Sequence, residues 1–240
     1  MKQENWYDVD TARGGDFSLS NAFPILMRKV FVWMTLALAI TGITAYGVAS
    51  SPALVGMIFS SKVMFWGLII AEFGLVMAIS GAINRLSLAT ATLLFILYSV
   101  VNGATLSVIF LAYSTTVIAK TFFITAGTFG AMALVGYTTK TDLTSIGKLL
   151  FMALIGIIIA SVVNIFVGSS GLDLIISYVG VLVFVGLTAY DTQKIKEMCR
   201  MAPDAGESMQ KFALLGSLSL YLDFINLFLY LLRIFGNNKD

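Results

Sequence analysis

Two aspartates lie inside stretches of sequence that are otherwise suited to a lipid bilayer. Asp223 is near the middle of SLYLDFINLFLYLLR (219–233), and Asp191 is in VGLTAYDTQKIKEM (185–198). A carboxylate is costly in hydrocarbon, and acids inside membranes usually mark ion or proton pathways. We therefore predict that Asp191 and Asp223 sense protons or ions, with a purely structural role for either as the alternative.

Polar residues recur at helical spacing through the last of these stretches. Intervals of three and four residues separate Gly216, Ser219, Asp223, Asn226, Tyr230 and Arg233. On a helix these positions share one side, while the residues between them are mostly Leu, Phe and Ile. Such a polar stripe must face protein or water. This predicts a central last helix, with Ser219 and Asn226 beside Asp223 on an ion path.

The chemistry of the two aspartates depends on whether their side chains meet. Two carboxylates at close range in low dielectric do not both ionise easily, so they would share a proton and titrate as a unit. The chain contains no histidine, the usual switch near neutral pH. The pair Asp191 and Asp223 could alternatively hold a hard cation such as Ca²⁺, or a nearby arginine.

Two further charged residues belong to this candidate site. Glu72 lies within IIAEFGLVM (69–77), and Arg85 follows in GAINRLS (81–87). Glu72 lies either on the ion path or in a structural hydrogen bond to another helix. Arg85 is either a gate that bridges to Asp191 or an ordinary positive anchor at the membrane surface.

The composition indicates a protein that crosses the membrane several times. Of its 240 residues, 58% are hydrophobic and 12% are charged, far from the values of soluble domains. Seven apolar segments are long enough to cross a hydrocarbon core of about 30 Å. They cover approximately 24–49, 63–83, 86–112, 117–137, 147–168, 172–195 and 211–235. We predict an all-α bundle of seven transmembrane helices over residues 23–240, preceded by a polar cytoplasmic tail at 1–22.

Small residues at fourfold spacing suggest where the helices pack. Gly127 and Ala131 form such a pair in the fourth segment, as do Gly156 and Ala160 in the fifth. Small residues let helices approach closely in lipid, so these stripes are interpreted as packing surfaces.

The basic residues predict the orientation of the chain. With the N-terminus in the cytoplasm, eleven lysines and arginines fall on the cytoplasmic side and four on the other. Cytoplasmic loops of membrane proteins carry an excess of Lys and Arg. Seven crossings then place the C-terminus on the opposite side of the membrane.

Several classes of function are disfavoured by the residues present. One cysteine and no histidine argue against a disulfide framework and a zinc site. The chain shows no basic block for nucleic acid, no phosphate loop and no Gly-x-Gly-Asp motif of intramembrane aspartyl proteases. We therefore expect no enzyme and no cofactor, with Ca²⁺ only as a permeant or bound ion.

The two aspartate motifs together resemble those of the transmembrane Bax-inhibitor family in its bacterial inner-membrane form. GLTAYDTQKIK, SLYLDFINLFLYLLR and the connector GYTTKTDLTSIG carry the resemblance, which extends over about residues 22–236. It implies a seven-helix bundle around a central last helix. It also implies that Asp191 and Asp223 are the sensor, that Arg85 is the latch, and that Glu72 matches an acid on the second helix.

The resemblance implies a pH-sensitive calcium or cation leak of the inner membrane, with the bilayer, Ca²⁺ and H⁺ as partners. The alternative is a regulator that transports nothing and restrains a membrane-bound AAA protease. In that case the tail at 1–22 would be the contact or a degradation handle. Loss of partner binding with flux intact on deletion of the tail would favour this regulatory role, which is compatible with a leak.

Overall fold

The computed structural model describes the backbone of residues 6–236 and the side chains of residues 22–236. Its helices are α1 (Trp6–Ala49), α2 (Pro52–Phe59), α3 (Lys62–Ala82), α4 (Leu88–Leu106), α5 (Ile109–Ala112), α6 (Thr115–Thr138), α7 (Thr144–Val167), α8 (Ser170–Arg200) and α9 (Glu207–Gly236). No strand occurs between residues 6 and 236.

Serines mark the points where many of these helices begin. The side chains of Ser51, Ser61, Ser87, Ser114 and Ser169 cap α2, α3, α4, α6 and α8, each accepting a hydrogen bond from a backbone amide three residues later. This bond satisfies one of the amides that a helix start leaves without a partner. Short connectors that end with a capping serine therefore separate the apolar segments cleanly.

Seven helical segments are long and apolar enough to cross a membrane. They cover Ala22–Ala49, Lys62–Ala82, Leu88–Ala112, Thr115–Thr138, Thr144–Val167, Ser170–Arg200 and Glu207–Gly236. Each matches one of the seven segments expected from the sequence, so the predicted all-α membrane fold is confirmed. The sixth span is α8 and the seventh is α9.

The spans pack as two groups with α9 between them. Helix α4 contacts α1 and α3 in one group, and α8 contacts α6 and α7 in the other. Helix α9 packs against α8 and α6 on one side and against α1 and α4 on the other. It is also the most buried span, because 67% of the residues in its most apolar stretch are buried inside the protein. The predicted central position of the last helix is therefore confirmed.

Helix α9 passes through the bundle without interruption. Near its start, the Lys211 Nζ donates to the Leu86 carbonyl at 3.0 Å, just before α4 begins. Near its end, Arg233 forms an ion pair of 3.3 Å with Asp173, in the first turn of α8. These contacts lie at opposite ends of the bundle. The 30 residues of α9 give a helix about 45 Å long. Helix α9 is thus continuous and long enough to cross the membrane fully.

The helices approach most closely at glycines other than those expected. A Cβ built on Gly136 of α6 would lie 2.1 Å from the Ala189 carbonyl oxygen of α8. A Cβ on Gly103 of α4 would lie 2.6 Å from the Thr41 carbonyl oxygen of α1. By contrast, Gly127 and Gly156 have nothing within 4 Å of such a Cβ. The prediction of a packing surface is therefore wrong for Gly127 and Ala131 and for Gly156, which are exposed, whereas Ala160 is half-buried and packs against the core.

Helix α1 begins well before the first apolar segment. It runs from Trp6, with Pro24 inside it, whereas the first apolar segment expected from the sequence begins at about residue 24. The predicted tail at 1–22 therefore includes helical backbone from residue 6, while residues 1–5 and the side chains up to residue 21 lie outside the described part. The cytoplasmic location of the tail and its role as a partner contact stay predictions.

Candidate functional site

The position of Asp191 and Asp223 follows from the antiparallel packing of α8 and α9. Gly216 of α9 faces Ile195 of α8, and further along the pair Gly180 of α8 faces the Tyr230 ring. Between these contacts Asp191 lies opposite Ser219, which is one helical turn before Asp223 on α9. Both aspartates therefore face the seam between the two helices.

The two carboxylates are close enough to interact electrostatically. Asp223 is 5% exposed, and its Oδ2 is buried without a hydrogen-bond partner among the described residues. Asp191 is half-buried, with the Ser219 hydroxyl and the Lys194 ammonium nearby. The structure thus brings Asp191, Asp223 and Ser219 together, as expected from the sequence.

The amide nitrogen of Asn226 does not donate a hydrogen bond to Asp191, Asp223 or Ser219. Its Nδ2 donates to the carbonyl oxygen of Leu222 at 2.8 Å, which is a bond within α9. The side chain is half-buried, one turn beyond Asp223. A role of Asn226 on an ion path stays a prediction.

Arg85 is not paired with either aspartate among the described residues. It is exposed in the connector between α3 and α4, and the ion pairs of the described residues do not include one between Arg85 and Asp191. Helix α3 packs mainly against α4 and α2, on the far side of α9 from α8. Lys194, not Arg85, is the cation that interacts with Asp191. The predicted Arg85 gate is therefore not formed here.

Glu72 belongs to the other side of α9. Its Oε1 is buried without a hydrogen-bond partner among the described residues. The carboxyl group neighbours the Asn102 amide and the Thr105 hydroxyl of α4, and it interacts electrostatically with Tyr98 and Tyr221. The structure therefore separates Glu72 from the aspartate pair by the width of the last helix.

The connector between α6 and α7 is attached to α8 close to Asp191. Gln193 Oε1 accepts from the Leu143 amide and Gln193 Nε2 donates to the Thr141 carbonyl, both at 2.8 Å. Lys196 Nζ donates to the Tyr137 carbonyl at 3.0 Å. A cavity of about 640 Å³ opens beside these groups and includes Gln193, Lys196 and Glu197 in its lining. A cavity lined by polar and charged side chains thus begins within a turn or two of Asp191.

The donor set around the aspartates suits only a weakly held metal ion. Ca²⁺ takes six to eight oxygen ligands. The described residues contain no group of three or more Asp, Glu, His or Cys side chains that could hold a metal together. Asp191, Asp223 and Ser219 would supply a few oxygens, and water would have to supply the others. The arrangement fits an exchanging hard cation better than a permanently bound one.

Comparison with known proteins places this architecture in a family. The family model described as inhibitor of apoptosis-promoting Bax1 matches residues 24–240, which is nearly the whole chain. The chain belongs to the Bax inhibitor family. The sequence resemblance based on the two aspartate motifs is therefore confirmed.

Members of the Bax inhibitor family that resemble this chain come from distant bacteria. Inner membrane protein YbhL of Escherichia coli K12 is 51% identical over 214 residues, which cover 89% of this chain and 92% of the relative. A Borreliella burgdorferi protein has the same identity and coverage. RP147 of Rickettsia prowazekii is 45% identical over 216 residues, with 89% and 90% covered. These relatives and the seven spans support a multi-pass protein of the inner membrane.

Sequence reasoning missed one part of the interior of this Bax inhibitor family member. Tyr221 of α9 is fully buried, and its hydroxyl contacts Thr41 and Asn102. Asn102 was the available signal, because an amide inside an apolar segment needs a partner. Tyr221 gave no signal, since tyrosine is common among the aromatic residues of membrane helices.

Proposed function

We propose that this protein is a pH-sensitive leak for Ca²⁺ or a similar hard cation, gated by Asp191 and Asp223. The observation that carries the proposal is the close approach of these two carboxylates, with one Asp223 oxygen buried and unpartnered. A buried carboxylate without a partner is strongly unfavourable when ionised. Its occupancy by a proton or a cation therefore depends on what the surrounding solution supplies.

The chemistry of the pair supports pH sensitivity. Like charges at short range share one proton, so the pair changes its charge in steps as the pH changes. When ionised, the pair attracts a cation, and when protonated it attracts none. Conduction requires a site that binds well enough to admit an ion and weakly enough to release it. An incomplete oxygen site on the seam of α8 and α9 meets that requirement.

We further propose that the N-terminus and the α8–α9 connector face the cytoplasm, and that the C-terminus lies on the opposite side. The excess of Lys and Arg on one set of connectors supports this orientation. Asp191 then lies towards the cytoplasmic end of α8, where the cavity beside Gln193 opens.

Flux of Ca²⁺ into liposomes containing purified protein tests the proposal. We expect Asp191→Asn and Asp223→Asn each to shift the pH profile of the flux, because the remaining aspartate titrates without its like-charged neighbour. The double variant should abolish the pH dependence, because neither amide can titrate. Asp204→Asn changes an exposed aspartate in the connector between α8 and α9, and it should leave the pH dependence unaltered. If both pair variants keep the rate and the pH profile of the wild type, the proposed function is wrong.

A further inference from the structure

A second buried polar cluster lies on the opposite side of α9 from Asp223. The Tyr221 hydroxyl is 2.7 Å from Thr41 Oγ1 of α1 and 3.0 Å from Asn102 Oδ1 of α4. The same Thr41 Oγ1 lies 3.0 Å from the Ser99 carbonyl oxygen. Tyr221 and Asp223 are two residues apart, so their side chains leave the helix about 200° apart. The cluster therefore holds α9 to the group that contains α1 and α4.

The backbone of this region is arranged so that the cluster can form. Gly103 allows α4 to approach the backbone of α1 at Thr41, where any side chain at residue 103 would collide. The Tyr221 ring is fixed by edge contacts with Phe95 and Tyr98, at centroid distances of 5.9 and 5.6 Å. The hydroxyl group of Tyr221 is thus presented to its two partners by a rigid aromatic cluster.

The cluster has one hydrogen too few for its contacts. Three short oxygen contacts run from the Ser99 carbonyl through Thr41 and Tyr221 to Asn102 Oδ1. Each hydrogen bond needs a hydrogen between its two oxygens, and the two hydroxyl groups supply only two. If the Asn102 amide turns over, its Nδ2 donates to Tyr221 and supplies the third hydrogen. The two orientations of this amide therefore differ in how firmly Tyr221 is held.

Glu72 is placed to select between those orientations. Its carboxyl group neighbours the Asn102 amide, and the titratable groups that face it from the packed helices are Tyr98 and Tyr221. An ionised carboxylate only accepts hydrogen bonds, so it draws Nδ2 towards itself and leaves Oδ1 towards Tyr221. A protonated carboxyl group donates to Oδ1, which turns Nδ2 towards Tyr221 and completes the chain.

We propose that Tyr221 is a positioning residue whose hydroxyl group, through Asn102, couples proton binding at Glu72 to the attachment of α9 to α1 and α4. Protonation of Glu72 tightens this attachment, and ionisation loosens it. Because α9 carries Asp223 on its other side, the attachment affects the seam with α8. The link to the leak rests on the proposed function, whereas the coupling between Glu72 and Tyr221 does not.

Infrared titration of the carboxyl band tests the coupling directly in the full-length protein. Labelling glutamate with ¹³C separates Glu72 from the aspartates, and Glu72→Gln identifies its band among those of Glu4, Glu197 and Glu207. Tyr221→Phe keeps the ring but removes the hydroxyl, so the protonated form of Glu72 loses its advantage. We expect the pH midpoint of Glu72 to fall by about one unit, a tenfold coupling typical of linked sites.

Two more variants make the result specific. Thr41→Val removes the next hydroxyl of the chain without changing its shape and should shift the midpoint of Glu72 in the same direction. In an Asn102→Leu background, Tyr221→Phe should cause no further shift, because the connecting amide is gone. Tyr113→Phe, which removes a hydroxyl outside the cluster, should leave the midpoint at its wild-type value.

Two results would overturn the inference. One is an unchanged Glu72 midpoint in both Tyr221→Phe and Thr41→Val, and the other is an equal effect of Tyr221→Phe with and without Asn102. Flux measurements separate this inference from the proposed function. If the wild-type protein shows no flux, the leak is wrong and the infrared titration still decides the coupling. If flux is present, Tyr221→Phe and Thr41→Val should both move its pH profile.

Discussion

At the scale of single residues, the aspartate pair is more informative than any other polar group in the spans. Most buried hydroxyl groups here bond back to their own helix, as Thr188 does to Phe184 and Thr192 does to Thr188. Such bonds satisfy the side chain without a partner on a neighbouring helix. Asp223 cannot do this, because an ionised carboxylate is a pure acceptor and the carbonyls of its helix are acceptors too. Its burial therefore requires a proton or a positive charge.

Ser219 offers a test of the pair that leaves both aspartates in place. Its hydroxyl lies near the Asp191 carboxyl group, to which it can donate a hydrogen bond. A hydrogen bond to the charged form favours ionisation, so Ser219→Ala should let the pair keep its proton to higher pH. We expect the pH profile of the Ca²⁺ flux to move upwards by about one unit, since a hydrogen bond to a charged group contributes about 1.5 kcal/mol or more.

Ser217→Ala is the matched control for this measurement. Ser217 is buried two residues earlier on α9, and its hydroxyl donates to the Ala213 carbonyl of the same helix. The change therefore removes a buried hydroxyl without touching the pair, and the profile should stay in place. Equal shifts in Ser217→Ala and Ser219→Ala would show that the effect comes from general loosening of α9.

At the scale of helices, the seam at Asp191 depends on how closely α6 approaches α8. Gly136→Ala would place a methyl group against the Ala189 carbonyl, two residues from Asp191, where backbone leaves no room. Overpacking of this kind costs about 1–3 kcal/mol. We expect a lower midpoint of thermal unfolding in detergent for Gly136→Ala.

Gly127→Ala is the control on the same helix, because nothing lies within 4 Å of its added methyl group. Alanine is the better helix former, by about 1 kcal/mol. The control should therefore be neutral or slightly stabilising. If Gly127→Ala destabilises the protein as much as Gly136→Ala, the close approach at Gly136 is not what limits the packing of α6 on α8.

The helices could be predicted from the sequence, but their outward and inward faces could not. Hydropathy and length alone identify all seven spans, since every span must be apolar along its length. In lipid, however, an apolar face is equally suited to a neighbouring helix or to acyl chains. Helix α7 shows this. It has the highest mean hydropathy of the seven spans, yet only 6% of the residues in its most apolar stretch are buried. Gly127 and Gly136 were indistinguishable for the same reason.

At the scale of the whole molecule, the parts of the site that share one helix face could be predicted from the sequence. Contacts between residues of different helices could not. The stripe on α9 correctly indicated a central helix, because a polar face can lie against protein but not against lipid. The Arg85 gate assumed that α3 lies near α8. In the structure α3 and α8 belong to different groups around α9, and the ion pairs of the described residues do not include one between Arg85 and Asp191. No local pattern in the sequence encodes that grouping.

The orientation of the whole bundle is open to a direct experiment. Alkaline phosphatase is active only outside the cytoplasm, so fusions report the side on which a residue lies. A fusion after residue 236 should be active and one after residue 204 should be inactive, because α9 crosses the membrane between them. The connector that precedes α9 shares its end of the bundle with Arg85, Lys140 and Lys196, where the positive charge is concentrated. The reverse pattern of activity would place Asp191 near the outer surface, and the pair would then sense the pH of the periplasm rather than that of the cytoplasm.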